Sequence, residues 1–119
     1  MPQLILEHSS NILEKNIVFT ALKKINIFLN ETLPTDLSSC KSRAVEYDTY
    51  CIGNGDKNNA FIHVNLKVMP GRNVDKLNEV GNGLIYILKE CFCESAQSLN
   101  LQITLEIDEL KTTYFKYVS

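Results

Sequence analysis

Apolar and polar positions repeat with two different periods along this chain, and the switches between them predict six elements. LILEH, residues 4–8, has the short alternating form of a strand. In SSNILEKNIVFTALKKINIFLNET the spacing lengthens, and Ile12, Leu13, Ile17, Leu22, Ile25 and Leu29 recur at helical intervals. Asn11 followed by Glu14 has the form of a capping box, which sets the expected helix start. Pro34 closes the helix or its exit loop. SRAVEYDTYCI is rich in Val, Tyr and Thr and predicts a second strand. GNGDKNN collects residues that tolerate turn dihedrals and predicts a hairpin into AFIHVNLKV. In that third strand Phe61, His63, Asn65 and Lys67 share one face, and Ile62, Val64, Leu66 and Val68 the other. MPGR is a turn. NVDKLNEVGNGLIYILKECFCESA carries a second helical pattern through Val74, Leu77, Val80, Leu84, Leu88 and Cys91. Gly81 and Gly83 inside it cost roughly 1 kcal/mol each against Ala, so a neighbour packs closely there or the helix bends. LQITLEIDEL is the last strand. The tail KTTYFKYVS, with Tyr114, Phe115 and Tyr117, is expected to pack on something, a neighbouring subunit included.

The order strand, helix, strand, strand, helix, strand defines an α+β fold of two βαβ-type halves within one domain, residues 1–119. Right-handed crossovers place both helices on one face of a four-stranded sheet. The opposite face is then bare in a lone chain. The pattern assigns Leu, Ile and Phe side chains to it, which predicts a homo-oligomer.

Composition narrows the function classes. A hydrophobic content of 45% in 119 residues suits one soluble domain with a real core. The net charge of -2 provides no global positive field, so no nucleic-acid partner is expected, although two or three cations can still build a local anion site. Cys40, Cys51, Cys91 and Cys93 have neither zinc-ribbon nor CxxC spacing and read as reduced, mostly buried thiols. There is no signal-peptide pattern and no apolar run of membrane-spanning length, so the expected location is cytoplasmic, with no membrane partner.

The chemical candidates are few. Pro2 suits the first position of a strand, where its missing N–H breaks no ladder. Removal of Met1 would turn its nitrogen into a secondary amine, and an apolar, cation-lined pocket would lower that amine's pKa enough for a general base near neutral pH. Equally, Pro2 can be no more than an accessible chain start. Arg72, in the strand-end turn MPGR, is either a carboxylate fork or a solvated side chain. Lys41 and Arg43, in CKSR, fall on one strand face, as a substrate clamp or a solvated rim. His8 and His63 make no metal site, and no phosphate-binding loop or nucleotide fingerprint is present.

MPQLILEHSSNI, CKSRAVEYDTY, AFIHVNLKVMPGR and LQITLEIDEL together closely resemble the 5-carboxymethyl-2-hydroxymuconate isomerase family of the tautomerase superfamily, over nearly the whole chain. The resemblance implies a homotrimer with sheets facing its centre and a cofactor-free isomerase acting on a carboxylated dienol in homoprotocatechuate breakdown. It implies Pro2 as general base, Arg72 binding or polarising the substrate, and Lys41 with Arg43 holding a carboxylate. The family has Arg-Ser-Arg where this chain has Lys41-Ser42-Arg43, so position 41 keeps the charge but loses the bidentate fork. Two further readings are a tautomerase-fold enzyme for another keto–enol acid and a non-catalytic oligomeric binding protein.

Overall fold

A computed structural model describes residues 1–119, beginning with a strand at the third residue. The elements are β1 (Gln3–Ser9), α1 (Val18–Thr32), β2 (Lys41–Tyr47), β3 (Asn59–Val68), α2 (Val74–Cys91), α3 (Cys93–Ser98) and β4 (Asn100–Glu109). They form one four-stranded sheet in the order β2-β1-β3-β4. The outer pairs β1–β2 and β3–β4 are parallel, and the central pair β1–β3 is antiparallel. Each parallel pair is one βαβ half.

The predicted hairpin is not there. β2 pairs with β1, and β1 separates it from β3. The turn chemistry of residues 53–59 is nonetheless real. Gly53 and Gly55 have positive φ, and the Asp56 carboxylate accepts from the Asn58 amide. That chemistry sets local dihedrals but not which strand lies alongside. The loop carries the chain past the end of β1, where Asn11 Nδ2 donates to the carbonyls of Lys57 and Asn59. Asn11 is therefore spent on the loop and caps no helix. Glu14 is buried, with its carboxylate on the Ser95 amide and hydroxyl. The α-helix consequently starts at Val18, after a 3-10 turn at Lys15–Ile17.

Alternation in β1 and β3 sends Leu4, Leu6, Ile62, Val64, Leu66 and Val68 under the helices, where they are buried with Ile25, Leu29, Leu84 and Leu88. Leu105 and Ile107 of β4 pack against the same core. Close packing explains one of the two helix glycines: a Cβ on Gly83 would collide with the Phe28 ring. The second helical pattern breaks at Phe92, the fully buried residue between α2 and α3.

The open sheet face differs from expectation. Its apolar members are Ile5, Val45, Tyr47 and Phe61, and no Leu lies on it, because every strand Leu points to the helices. Between them runs a polar lattice. His63 Nδ1 lies 2.7 Å from Thr104 Oγ1, and Asn65 Nδ2 donates to Glu106 and Asp108. The thiols are all free, but Cys40 alone is buried; Cys91 is half-buried, and Cys51 and Cys93 are exposed, so a mostly buried set is corrected. No helix is long and apolar enough to cross a membrane.

Candidate active site

The strand register decides what surrounds the start of β1. Gln3 stands opposite Lys41 at the start of parallel β2 and opposite Lys67 near the end of antiparallel β3. One strand start therefore meets another strand start and a strand end. The loop that leaves β3 carries Arg72, and the turn that enters β2 carries Ser39 and Cys40. Pro2 is buried at this junction, and its carbonyl accepts from the Lys41 amide at 3.2 Å. A proline fits because the ladder asks for its carbonyl and not for an N–H.

The junction is electropositive. Burial, and next the Arg72 guanidinium, push the terminal amine of Met1 below its ordinary range. Lys116 and Lys41 act in the same sense, while the Cys40 sulfur opposes them. The Pro2 nitrogen lies one residue further along the chain. Burial in turn pushes the Cys40 thiol up, against the pull of the amine and Lys41. Neither Arg72, Lys41, Arg43 nor Lys116 is ion-paired with a carboxylate. Arg72 Nη1 is steadied by the Met69 carbonyl at 3.0 Å, and Lys41 Nζ by the Ser39 carbonyl at 3.3 Å.

Of the residues singled out in the sequence, Lys41 meets Pro2 through its main-chain amide, and the Arg72 charge acts on the terminal amine one residue before Pro2. Arg43 lies one step deeper on the open face, where its Nη1 donates to Gln3 Oε1 at 2.8 Å, and it is not among the charges acting on the terminus. Lys41 lines a cleft of about 500 Å³ with Ser38, Ser39 and the tail from Tyr114 onward. Pro2 and Arg72 line no cleft of the single chain while Met1 is attached. The tail supplies what the sequence reading missed. Tyr114 accepts from Gln3 Nε2 at 3.2 Å, and Lys116 donates to Ser39 Oγ at 3.2 Å and lies against Met1 Sδ. The aromatic composition of the tail had signalled packing, but not where. No three His, Cys, Asp or Glu side chains gather as a metal site.

Two βαβ units joined by a central antiparallel pair, with a buried proline leading the first strand, define a tautomerase-superfamily protein. A model of the family "5-carboxymethyl-2-hydroxymuconate isomerase" matches residues 2–117. The chain belongs to that family. It is 31% identical over 113 residues to 5-carboxymethyl-2-hydroxymuconate Delta-isomerase of Escherichia coli, covering 95% of this chain and 90% of the relative. The crystal structure of a 5-carboxymethyl-2-hydroxymuconate isomerase from Deinococcus radiodurans R1 superposes with a TM-score of 0.88 at 27% identity, over 97% of this chain and 88% of that one. A further 5-carboxymethyl-2-hydroxymuconate delta-isomerase shares the fold with a TM-score of 0.84 at 17% identity, over 100% of this chain and 89% of that one. The protein is thus an isomerase of a cofactor-independent family, acting on a keto–enol acid. That removes the non-catalytic reading.

Proposed function

We propose that the protein converts 5-carboxymethyl-2-hydroxymuconate, or a closely similar carboxylated dienol, into its unsaturated keto form. Removal of Met1 frees the Pro2 nitrogen as a secondary amine. That amine takes the proton of the 2-hydroxyl, the electrons move along the conjugated system, and the protonated amine returns a proton to the distal carbon. Atoms and charge balance without a redox partner. Arg72 stabilises the negative charge that develops on the oxygen or its neighbouring carboxylate. Lys41 and Arg43 hold a carboxylate, and the chemistry serves homoprotocatechuate breakdown.

The observation that carries this reading is the electrostatic one. The start of β1 lies among cations without carboxylate partners, and burial, followed by the Arg72 charge, lowers the proton affinity of the terminal amine there, which is the direction a general base needs. The proposed working unit is a homotrimer with the open faces turned inward, supported by the exposed apolar members Val45 and Tyr47 on that face. The test begins with intact mass, since a retained Met1 leaves Pro2 an amide with no basic lone pair. The processed protein is then compared on 5-carboxymethyl-2-hydroxymuconate with a chain that keeps Met1, and an equal kcat/KM would remove the Pro2 amine as the base.

One observation favours a second reading, a different keto–enol acid as substrate. Position 41 carries a point charge instead of a planar fork, so a bidentate carboxylate grip is absent there. Turnover of monocarboxylate and tricarboxylate enols separates the two: a monocarboxylate preference would count against the muconate.

A further inference from the structure

Resting on the isomerase reading above, we propose that Lys116, on the carboxy-terminal strap, is a substrate-binding residue that takes a second carboxylate of the substrate. The strap is anchored along its length. The Leu110 amide donates to the Val68 carbonyl at 2.7 Å, and Gln3 Nε2 donates to Tyr114 Oη. This route brings residue 116 back over the first residues of the chain.

Two ammonium groups then bracket one serine. Lys116 Nζ donates to the Ser39 hydroxyl at 3.2 Å, and Lys41 Nζ donates to the Ser39 carbonyl at 3.3 Å. Both lysines line the same cleft of about 500 Å³, and neither has a carboxylate partner. The other acceptor of Lys116 is the Met1 thioether, a weak acceptor for a full positive charge. Removing Met1 takes that sulfur away. The ammonium is left with one neutral hydroxyl as partner, and a carboxylate is the group that best replaces the lost contact. Processing on this account does two things at once: it frees the base and opens an anion position in the cleft that Lys41 and Lys116 line.

The probes are trans,trans-muconate and sorbate, which share one conjugated diene and carry two carboxylates and one. Neither is an enol, so binding to the processed protein is read without turnover, by titration calorimetry. Wild type is expected to bind muconate more tightly than sorbate. Lys116→Met should weaken muconate by about tenfold or more while leaving sorbate within about threefold, as loss of one charge-assisted contact requires. Lys116→Arg should recover most of the muconate affinity. Equal binding of the two acids by wild type, an unchanged muconate affinity in Lys116→Met, or an equal loss for both acids would overturn the assignment. The last outcome would mean that the strap had merely come loose. Blocking the Pro2 nitrogen with a retained Met1 keeps the two proposals apart. If the blocked chain retains turnover, the base is wrong, while the muconate titration on the processed protein still decides Lys116.

Discussion

The two halves of the sheet repeat the same backbone contact and spend it differently. In the first half the Lys41 amide donates to the Pro2 carbonyl at 3.2 Å; in the second the Asn100 amide donates to the Asn58 carbonyl at 2.8 Å. Gln3 faces Lys41 in one half, and Asn59 faces Asn100 in the other. Because β1 and β3 run antiparallel, each strand start is visited by the chain leaving the other half. Arg72 arrives at the Pro2 end. Asn11 arrives at the Asn58 end, where its amide group binds the carbonyls of Lys57 and Asn59. One end gathers cations around a potential amine, and the other gathers neutral amides that close a loop. The fold supplies two equivalent positions, and side-chain choice gives the proposed chemistry to one.

The sharpest way to break that contrast is to alter the paired strand starts. Blocking the Pro2 nitrogen, by comparing the processed protein with a chain that keeps Met1, is expected to lower kcat/KM by about a hundredfold to ten-thousandfold, the range for a lost general base. Asn58→Ala, at the equivalent position, should leave kcat/KM within about threefold, since its backbone carbonyl makes the ladder contact. Comparable losses in both would erase the distinction.

The visiting loops give the next largest effect. Arg72→Ala should cost about a hundredfold or more in kcat/KM as a lost charge-stabilising donor. It should also move the pH profile. A base that must be unprotonated gives a kcat/KM that rises with pH and then levels off. Burial and Arg72 together depress the terminal amine, so the limb of wild type is expected below the ordinary α-amine range, and it should move upward without Arg72. Asn11→Ala is expected to lower stability by about 1–3 kcal/mol, by stripping two loop carbonyls of their donor, with kcat unchanged. A limb that ignores Arg72 would detach that residue from the amine.

Smaller effects test how the halves are joined and tuned. Gly83→Ala drives a methyl into the Phe28 ring between the two helices, and should lower stability in denaturant unfolding by about 1–3 kcal/mol despite the better helix former. Lys41→Arg restores the fork of the family at the β2 start. It should lower KM for a carboxylated enol by a few-fold with little change in kcat, measured by steady-state kinetics.

Much of the fold was legible because it is written in local periods. Alternation in AFIHVNLKV separated the Ile62 face from the His63 face correctly, and the second helix was visible through Val80, Leu84 and Leu88. What failed was adjacency. GNGDKNN has turn chemistry whether the chain folds back on its neighbour or crosses the end of another strand, and a strand inserted from the start of the chain cannot be seen in the loop. Asn11 and Glu14 carried the spacing of a cap, yet their partners, Asn59 and Ser95, lie far away in sequence. The candidate site divides the same way. Pro2, Lys41 and Arg72 stand beside recognisable strand boundaries and could be named in advance. Lys116 sits in a tail whose course depends on tertiary contacts, with Tyr114 on Gln3, and no local pattern announces it.

The Lys41–Pro2 contact has a consequence for how such an enzyme changes its diet. The tether that fixes the lead residue runs through the main chain of position 41, leaving its side chain out of the ladder. Any replacement there except proline preserves that tether. Position 41 is therefore a dial that natural variation, or a saturation library, can turn while the Pro2 main chain stays in place.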